Sequence, residues 1–272
     1  MINIEKFIQG HPAFDHADDM AQVTKPLNKL GISYFAHVRL DNNNNAVITN
    51  NHPNYLEHYF SGYNFNYDLH MADIESHGFF LWDLAKPKGN SEKLYQLAQA
   101  HGVGHLCTLV RREAGYKHYY HFGADPHNDT MNTFYTQHMD LLDKYLLYYN
   151  EQFYLNDNLF KLERFSCPIG HNEDSTWESE TLMLDQDEIA AYLESIGSRE
   201  PCEEALNSIT RREFQCAHYM LHGMTSKEIG AKIHISPRTV EVYLERLRNR
   251  FGSKNKIELA RHLIEAGFLE QI

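Results

Sequence analysis

The sequence predicts two domains of different class: a mixed α/β (α+β) N-terminal domain, in which helices flank an antiparallel sheet, and an all-α C-terminal domain of four helices. Three observations support this. First, 272 residues exceed the roughly 150 residues of an ordinary domain. Second, residues 203–272 carry 11 Lys and Arg against 9 Asp and Glu, a net charge of +2, whereas residues 1–202 carry 14 against 28, a net charge of −14. Third, helix-capping sequences are dense in the C-terminal segment.

Composition excludes several classes of protein. Hydrophobic residues make up 42% and charged residues 23% of the chain, which is ordinary for a soluble globular protein. No apolar run approaches the roughly 18 residues that a membrane span needs, and residues 1–10 lack the pattern of a signal peptide. The 4 cysteines are far apart and form no C-x-x-C motif, which indicates reduced thiols. We therefore expect a cytoplasmic protein with no membrane partner.

Alternating apolar residues predict the sheet of the N-terminal domain. Apolar residues recur with a period of two from Ile32 to Leu40, which predicts a half-buried strand, and an Asn-rich turn leads into a second strand at 46–49. Residues 106–112 and 116–122 predict a second hairpin. Ambiguous strand signals surround Phe165 and Leu182.

Proline, glycine and cap residues predict the flanking helices. Pro53 begins a helix that Gly62 ends, and a further helix takes Asn90 or Ser91 as its cap and stops at Gly102. The remaining helix signals are the Asp125–Pro126 pair, as the N-cap and first residue of one or two helices that extend to Tyr149, and a short helix at 187–195.

Four helix starts follow one another in the C-terminal domain. Thr210–Glu213 and Thr225–Glu228 are capping boxes, in which a hydroxyl and a carboxylate satisfy free backbone N–H groups. Ser236–Pro237 supplies an N-cap and a preset first residue for the third helix. Asn255–Glu258 caps a fourth helix that extends to Gly267. Such short and tightly connected helices predict a bundle built around a helix-turn-helix.

The third of these helices has one apolar and one polar face. At about 100° per residue, its apolar stripe consists of Val240, Leu244, Leu247 and Phe251. The opposite side carries Arg238, Val242, Glu245 and Asn249, flanked by Glu241 and Arg246. A polar helix face can enter the major groove of DNA and read base edges. The alternative is the solvated face of an ordinary surface helix, but the short capped helix and the tight turn before it favour DNA.

Residues 206–269 resemble the LuxR-type helix-turn-helix of bacterial transcription regulators. The matching segments are 206–223, 224–240 and 248–259. The resemblance implies that the start of the second helix binds phosphate, because free N–H groups and the helix dipole favour anions there, and that the fourth helix pairs subunits. The residues thus assigned to DNA are Thr225, Ser226, Lys227, Ser236, Arg238, Thr239, Glu241, Val242, Glu245 and Arg246, and those assigned to dimerisation are Ile257, Leu259 and Leu263.

Two positions that face the bases in this family have an unusual charge. Positions 241 and 245 are often basic in LuxR-type regulators, whereas both are Glu here. Carboxylates cannot hold phosphate, although they can accept a hydrogen bond from cytosine N4. Pairing of these carboxylates with Arg238, Arg246 or Lys227 is an equally good interpretation, so no base preference follows from the resemblance.

An aromatic segment with one acidic residue is the second candidate site. Tyr55, Tyr59, Asp68 and Trp82 combine N–H and O–H donors with a carboxylate acceptor, as small-molecule pockets do. The alternative is a core of stacked aromatic rings with Asp68 as a cap or turn residue. Residues 30–160 also resemble, more weakly, the autoinducer-binding domain of LuxR-type quorum sensors. That resemblance implies that Tyr55 contacts a lactone carbonyl, that Tyr59 and Asp68 contact the acyl amide, and that Trp82 walls the pocket.

These features predict a transcription regulator with a sensor domain at 1–165, an extension and linker at 166–202, and a DNA-binding domain at 203–272. We expect a homodimer whose sensor binds a small-molecule signal similar to an acyl-homoserine lactone and controls binding to double-stranded DNA. The alternative is a ligand-independent regulator whose N-terminal domain serves dimerisation or protein–protein interaction. The sequence predicts no enzyme activity, cofactor or metal site, because it has no catalytic motif and its histidine pairs have no third ligand nearby.

Overall fold

The computed structural model describes residues 4–69, 78–85, 87–113, 116–161, 166–168, 175–176, 209–266 and 268. The chain divides into two compact units, which we call the sheet unit (Met1–Tyr145 and Asn158–Tyr192) and the helical unit (Leu146–Asp157 and Leu193–Ile272). The strand signals around Phe165 and Leu182 and the predicted helix at 187–195 lie outside the described residues.

Helices and strands are interspersed before the C-terminal helices. The helices are α1 (Ile4–Gly10), α2 (Pro12–Asp15), α3 (Ala17–Thr24), a 3-10 helix (Lys25–Leu30), α4 (Pro53–Ser61), a second 3-10 helix (Asn64–Asn66), α5 (Trp82–Ala85), α6 (Asn90–Ala100), α7 (Met131–Gln137), α8 (Met139–Leu155) and α9 (Asp157–Lys161). The strands are β1 (Ile32–Asp41), β2 (Asn45–Asn50), β3 (Gly78–Leu81), β4 (Lys88–Gly89), β5 (Gly104–Glu113), β6 (Tyr116–Ala124), β7 (Cys167–Pro168) and β8 (Ser175–Thr176).

One antiparallel sheet organises the sheet unit. Its 6 described strands lie in the order β3-β5-β6-β1-β2-β7, and β4 pairs separately with β8. The central pair β1 and β6 is aligned from Ile32 opposite Ala124 to Asp41 opposite Tyr116. Both predicted hairpins, β1–β2 and β5–β6, are confirmed. With its flanking helices, the sheet confirms the predicted α+β fold class.

Both faces of β1 are buried, so the prediction of a half-buried strand is wrong. On one face the Phe35 ring packs against Tyr145 of α8, with ring centroids 5.2 Å apart. On the other face Tyr34 packs against Tyr55 of α4 at 5.6 Å. Every residue from Tyr34 to Val38 is buried. The alternating residues of β1 therefore point to two buried faces of the sheet, and not to one buried and one solvent-exposed face.

Two predicted helix starts also need correction. The N-cap of α6 is Gly89 rather than Asn90 or Ser91, because the buried Ser91 hydroxyl instead donates to the carbonyl of Tyr67 at 2.8 Å. Asp125 does not cap a helix: its Oδ1 accepts from the backbone N–H of His127 at 2.8 Å and closes a turn, and α7 begins only at Met131.

The C-terminal helices of the helical unit are α10 (Arg211–Leu221), α11 (Ser226–Lys232), α12 (Pro237–Arg250) and α13 (Lys256–Glu265). Each begins at its predicted cap, with Thr210, Thr225, Ser236 and Asn255 accepting from the backbone N–H three residues ahead. The predicted all-α class is thus confirmed, although α13 ends at Glu265 rather than Gly267.

The helical unit has its own hydrophobic core. Its buried side chains include Phe214, Ile229, Val240, Leu244, Leu247, Leu259 and Leu263. Residues Leu146–Asp157 belong to this unit, and here the Tyr154 ring stacks on Phe214 with centroids 4.7 Å apart. Arg211 Nε donates to the Tyr154 carbonyl at 3.1 Å. No helix among the described residues is long and apolar enough to cross a membrane.

Candidate DNA-binding surface and ligand pocket

The four residues predicted to bind a ligand line one cavity in the sheet unit. Tyr55 and Tyr59 come from α4, Asp68 follows the second 3-10 helix, and Trp82 begins α5. The sheet forms the other wall through Tyr34, Ala36, Val38, Ile48, Asn50, Leu106 and His121. The first three of these share a face because residues at i, i+2 and i+4 of a strand point the same way. That periodicity could have added them to the predicted site.

The polar end of the cavity is organised around Asp68. The Tyr59 hydroxyl donates to Asp68 Oδ2 at 2.7 Å, and the backbone N–H of Leu69 donates to Oδ1 at 2.6 Å. Burial, followed by the nearby Asp68 charge, raises the pKa of Tyr59 well above its usual value. Burial likewise raises the pKa of Tyr55. Both phenols are therefore neutral, and each hydroxyl can donate a hydrogen bond.

A second hydrogen-bonded chain runs along the opposite wall. Trp82 Nε1 donates to Thr108 Oγ1 at 2.8 Å, and Thr108 Oγ1 lies 2.7 Å from His121 Nδ1. The Thr108 hydroxyl therefore links the indole N–H to the imidazole of His121. The indole N–H is thus already satisfied by the protein. Thr108 was missed from the sequence, because only the register that places it opposite His121 brings it to this site.

The cavity is narrow. Its walls and mouth enclose about 350 Å³, but the space in which the centre of a water molecule can lie is only about 10 Å³. That is room for about one water molecule. The predicted residues are therefore brought together as a closely packed group in this conformation.

The helix-turn-helix is set by the approach of α11 to the start of α12. The Ile235 N–H donates to the Gly230 carbonyl at 2.9 Å. A Cβ on Gly230 would lie 2.7 Å from the Ile235 carbonyl oxygen, so only glycine allows this contact. His234, between the two helices, has a left-handed φ of 56°. Gly230 was missed from the sequence because its constraint comes from a residue in the next helix.

The predicted division of α12 into two faces is confirmed. Val240, Leu244 and Leu247 are buried, and Phe251 packs partly buried on the same core. On the other side Val242 is 41% exposed. The charged side chains exposed with it are Arg238, Glu241, Glu245 and Arg246.

The other residues predicted to bind DNA divide into structural hydroxyls and exposed cations. Thr225 Oγ1 is held by Glu228 Oε2 at 2.7 Å, and Ser236 Oγ lies 2.7 Å from Thr239 Oγ1. Ser226 is buried. Lys227, like Arg238, is exposed. Any phosphate contact at these helix starts would therefore rely on the two cations and on backbone N–H groups more than on the hydroxyls.

The three residues predicted to pair subunits have different surroundings. Leu259 and Leu263 are fully buried in the core of the helical unit, whereas Ile257 is 83% exposed. A subunit contact through α13 can therefore use Ile257, while Leu259 and Leu263 already hold α13 on its own unit.

A buried carboxylate supports the frame of the helical unit. Glu213 Oε2 accepts from the backbone N–H and hydroxyl of Thr210, both at 3.0 Å, and from Arg250 at 3.3 Å. This contact joins the start of α10 to the end of α12. In the described ranges, no three His, Cys, Asp or Glu side chains are arranged to hold a metal ion.

Four capped helices with a polar, exposed face on the third define a helix-turn-helix DNA-binding domain. Residues 207–263 match the family described as bacterial regulatory proteins, luxR family. This part of the chain is therefore a LuxR-family helix-turn-helix domain, as its resemblance predicted.

Curated relatives match part of the chain. The transcriptional regulatory protein UhpA of Escherichia coli (strain K12) is 40% identical over 57 residues, which cover 21% of this chain and 29% of UhpA. The response regulator Rre1 of Synechocystis sp. is 31% identical over 103 residues, 36% of this chain and 45% of Rre1. The chain thus spans less than half the length of these curated relatives.

Solved structures offer a weaker likeness over more of the chain. A crystal structure of Escherichia coli SdiA is similar over 93% of this chain and 92% of the SdiA chain, with 16% identity and a TM-score of 0.37. A score this low supports no argument about function.

Proposed function

We propose that this protein is a cytoplasmic bacterial transcription regulator that binds double-stranded DNA as a homodimer. The observation that carries the proposal is α12, which is held on the core by a buried apolar stripe and presents its charged side and Val242 to solvent. In this proposal α12 enters the major groove, while Lys227 and Arg238 contact phosphates at its edge.

The charge distribution supports binding by two copies. Residues 203–272 have a net charge of only +2, whereas residues 1–202 have −14. Non-specific affinity for DNA rises with the number of phosphates neutralised. A single copy with so small a positive charge should therefore bind DNA weakly. Two linked copies on adjacent half-sites gain through effective concentration. Of the three residues predicted to pair subunits, Ile257 is the exposed one.

Fluorescence anisotropy with a DNA duplex selected by the full-length protein tests this proposal. Reversing both exposed cations, K227E with R238E, should abolish binding. The matched control is K25E with K29E, which makes the same charge change on two exposed lysines of the sheet unit and should bind almost as well as the natural protein. If K227E with R238E binds as tightly as that control, α11 and α12 do not contact the DNA as proposed.

We further propose that the sheet unit senses a small molecule in the cavity lined by Tyr55, Tyr59, Asp68 and Trp82. The supporting observation is that one end of this cavity combines a carboxylate with neutral hydroxyl donors, while Val38, Ile48 and Leu106 make other parts of the wall apolar. An acyl-homoserine lactone has this mixture of amide and apolar groups. Because the free space holds about one water, such a ligand would have to move the walls, and that movement is the proposed signal.

The small free space of this cavity also favours a second candidate function. If the aromatic side chains fill the cavity in every state, the protein is a ligand-independent regulator whose sheet unit serves dimerisation or protein–protein interaction. The indole of Trp82, which bonds Thr108 rather than a ligand, is in keeping with that alternative.

Native mass spectrometry separates the two candidates. A sensor should carry or take up a small molecule, seen as a discrete added mass. Tyr55→Phe removes one hydroxyl from the cavity and should weaken retention of that mass, whereas Tyr63→Phe changes an exposed ring and should not. A protein that shows no added mass with an acyl-homoserine lactone series, and still binds DNA, would be the ligand-independent regulator.

A further inference from the structure

The exposed face of α12 carries two acidic side chains beside one apolar side chain. Glu241 and Glu245 are four residues apart, so they lie on one side of the helix, with Val242 beside them. All three are exposed. They therefore lie on the face of α12 that would enter a major groove in the proposed binding mode.

Neighbouring cations do not neutralise these carboxylates. In the part of the chain that the structure describes, Glu241 has no ion pair or hydrogen bond. Glu245 approaches only Arg248, at 3.9 Å, with its own side chain 62% exposed. Arg246 lies over the Tyr243 ring, 5.7 Å from its centroid. The pairing of Glu241 or Glu245 with Arg238, Arg246 or Lys227, which the sequence left open, is not what the structure contains.

Two exposed carboxylates on a DNA-binding helix, of which only Glu245 has a cation within 4 Å, oppose binding unless a base satisfies them, because the phosphate backbone repels them. Base edges in the major groove differ in what they offer. Guanine presents two acceptors, and adenine presents an acceptor beside its amino group, whereas cytosine presents the N4 amino donor. A carboxylate is therefore complementary to cytosine and is repelled by guanine.

From this arrangement, and resting on the proposed DNA binding, we infer that Glu241 and Glu245 are specificity-determining residues that accept hydrogen bonds from cytosine N4. Val242, beside them on the same face, contacts a thymine methyl group. Affinity for DNA then comes from cations that contact phosphates, such as Lys227 and Arg238. The choice of base sequence comes from the two carboxylates. The helix selects partly by repulsion, because a guanine in either position meets a carboxylate.

Selection of binding sites from random duplexes by the full-length protein tests the inference. The natural protein should enrich cytosine over guanine by roughly tenfold or more at two positions of the half-site. Glu241→Gln should convert one of these preferences to adenine, since Gln pairs bidentately with adenine, and Glu245→Gln should convert the other. Glu57→Gln, an exposed residue of α4, is the control and should leave the selected site unchanged.

The outcomes distinguish this inference from the function on which it rests. If the natural protein enriches a site and both Gln variants enrich the same site, the carboxylates do not read bases and the inference is overturned. If the natural protein enriches no sequence, the proposed DNA binding is overturned, and this inference with it. Loss of cytosine preference in the Gln variants, with affinity for random duplex equal or higher because each variant chain lacks one negative charge, supports the inference.

Discussion

Gly230 packs directly against the backbone of Ile235, so closely that a Cβ on the glycine would lie 2.7 Å from the Ile235 carbonyl oxygen. The nitrogen of Pro237 would be 3.2 Å from the same Cβ. The position of α12 relative to α11 thus depends on a missing side chain. Neither obstacle is a flexible side-chain end, so a larger residue has to move the backbone.

Gly230→Ala should destabilise the protein by about 1–3 kcal/mol through overpacking and weaken DNA binding more than stability alone explains. Urea unfolding and anisotropy on the same samples measure the two effects. Gly78→Ala is the control, because a Cβ there meets nothing within 4 Å. Equal stability of the two variants would show that the α11–α12 contact is looser than the structure indicates.

The two capping boxes of the helical unit should contribute differently to the free energy of unfolding. Glu213 is 2% exposed and bonds Arg250 as well as Thr210, whereas Glu228 bonds Thr225 on an exposed helix start. Glu213→Ala should cost about 2 kcal/mol, since it removes a buried carboxylate and leaves the Thr210 N–H and the Arg250 cation without their acceptor. Glu228→Ala should cost clearly less. Chemical denaturation of both variants tests the order, and a reversed order would contradict the structural role of the Glu213–Arg250 contact.

Acid should destabilise the helical unit through His218. Burial, and then the charges of His222 and Lys232, lower the pKa of His218 to about 4, so at neutral pH the ring is uncharged and its Nε2 lies 3.2 Å from Glu151. An unfolded histidine has a pKa of about 6.5. Between these values the unfolded chain binds a proton that the native chain does not, so stability falls as the pH is lowered from about 6.5 to about 4.

His218→Gln should make the dependence of unfolding free energy on pH shallower across that interval. His234→Asn is the matched control, because His234 is exposed in the same unit and Asn tolerates its left-handed φ, and its variant should keep the slope of the natural protein. Identical slopes for the two variants would mean that His218 titrates normally in the native state.

The helical unit was the more predictable part, because its signals are local. Each cap acts on an N–H three residues away, so Thr210, Thr225, Ser236 and Asn255 marked the helix starts correctly. Contacts between distant residues, such as Glu213 with Arg250, leave no local pattern.

In the sheet unit the family resemblance predicted which aromatic residues line the cavity. The aromatic pattern alone was equally compatible with a packed core. The free space could not be predicted, because it depends on how β5 and β6 place Thr108 and His121 against Trp82. The prediction of a helix start at Asp125 was wrong for a similar reason. Asp-Pro suits a helix and a turn equally well, and here the Asp125 side chain binds His127 and closes the turn.

The salt dependence of DNA binding tests the central claim most directly, because it counts phosphate contacts. Binding of the full-length protein to its selected duplex should be measured from about 50 to about 200 mM salt, for the natural protein and for K227Q with R238Q. If both cations neutralise phosphates, the slope of log K against log salt should become shallower by about 1.8 in the double variant. An unchanged slope would contradict the placement of α11 and α12 on DNA.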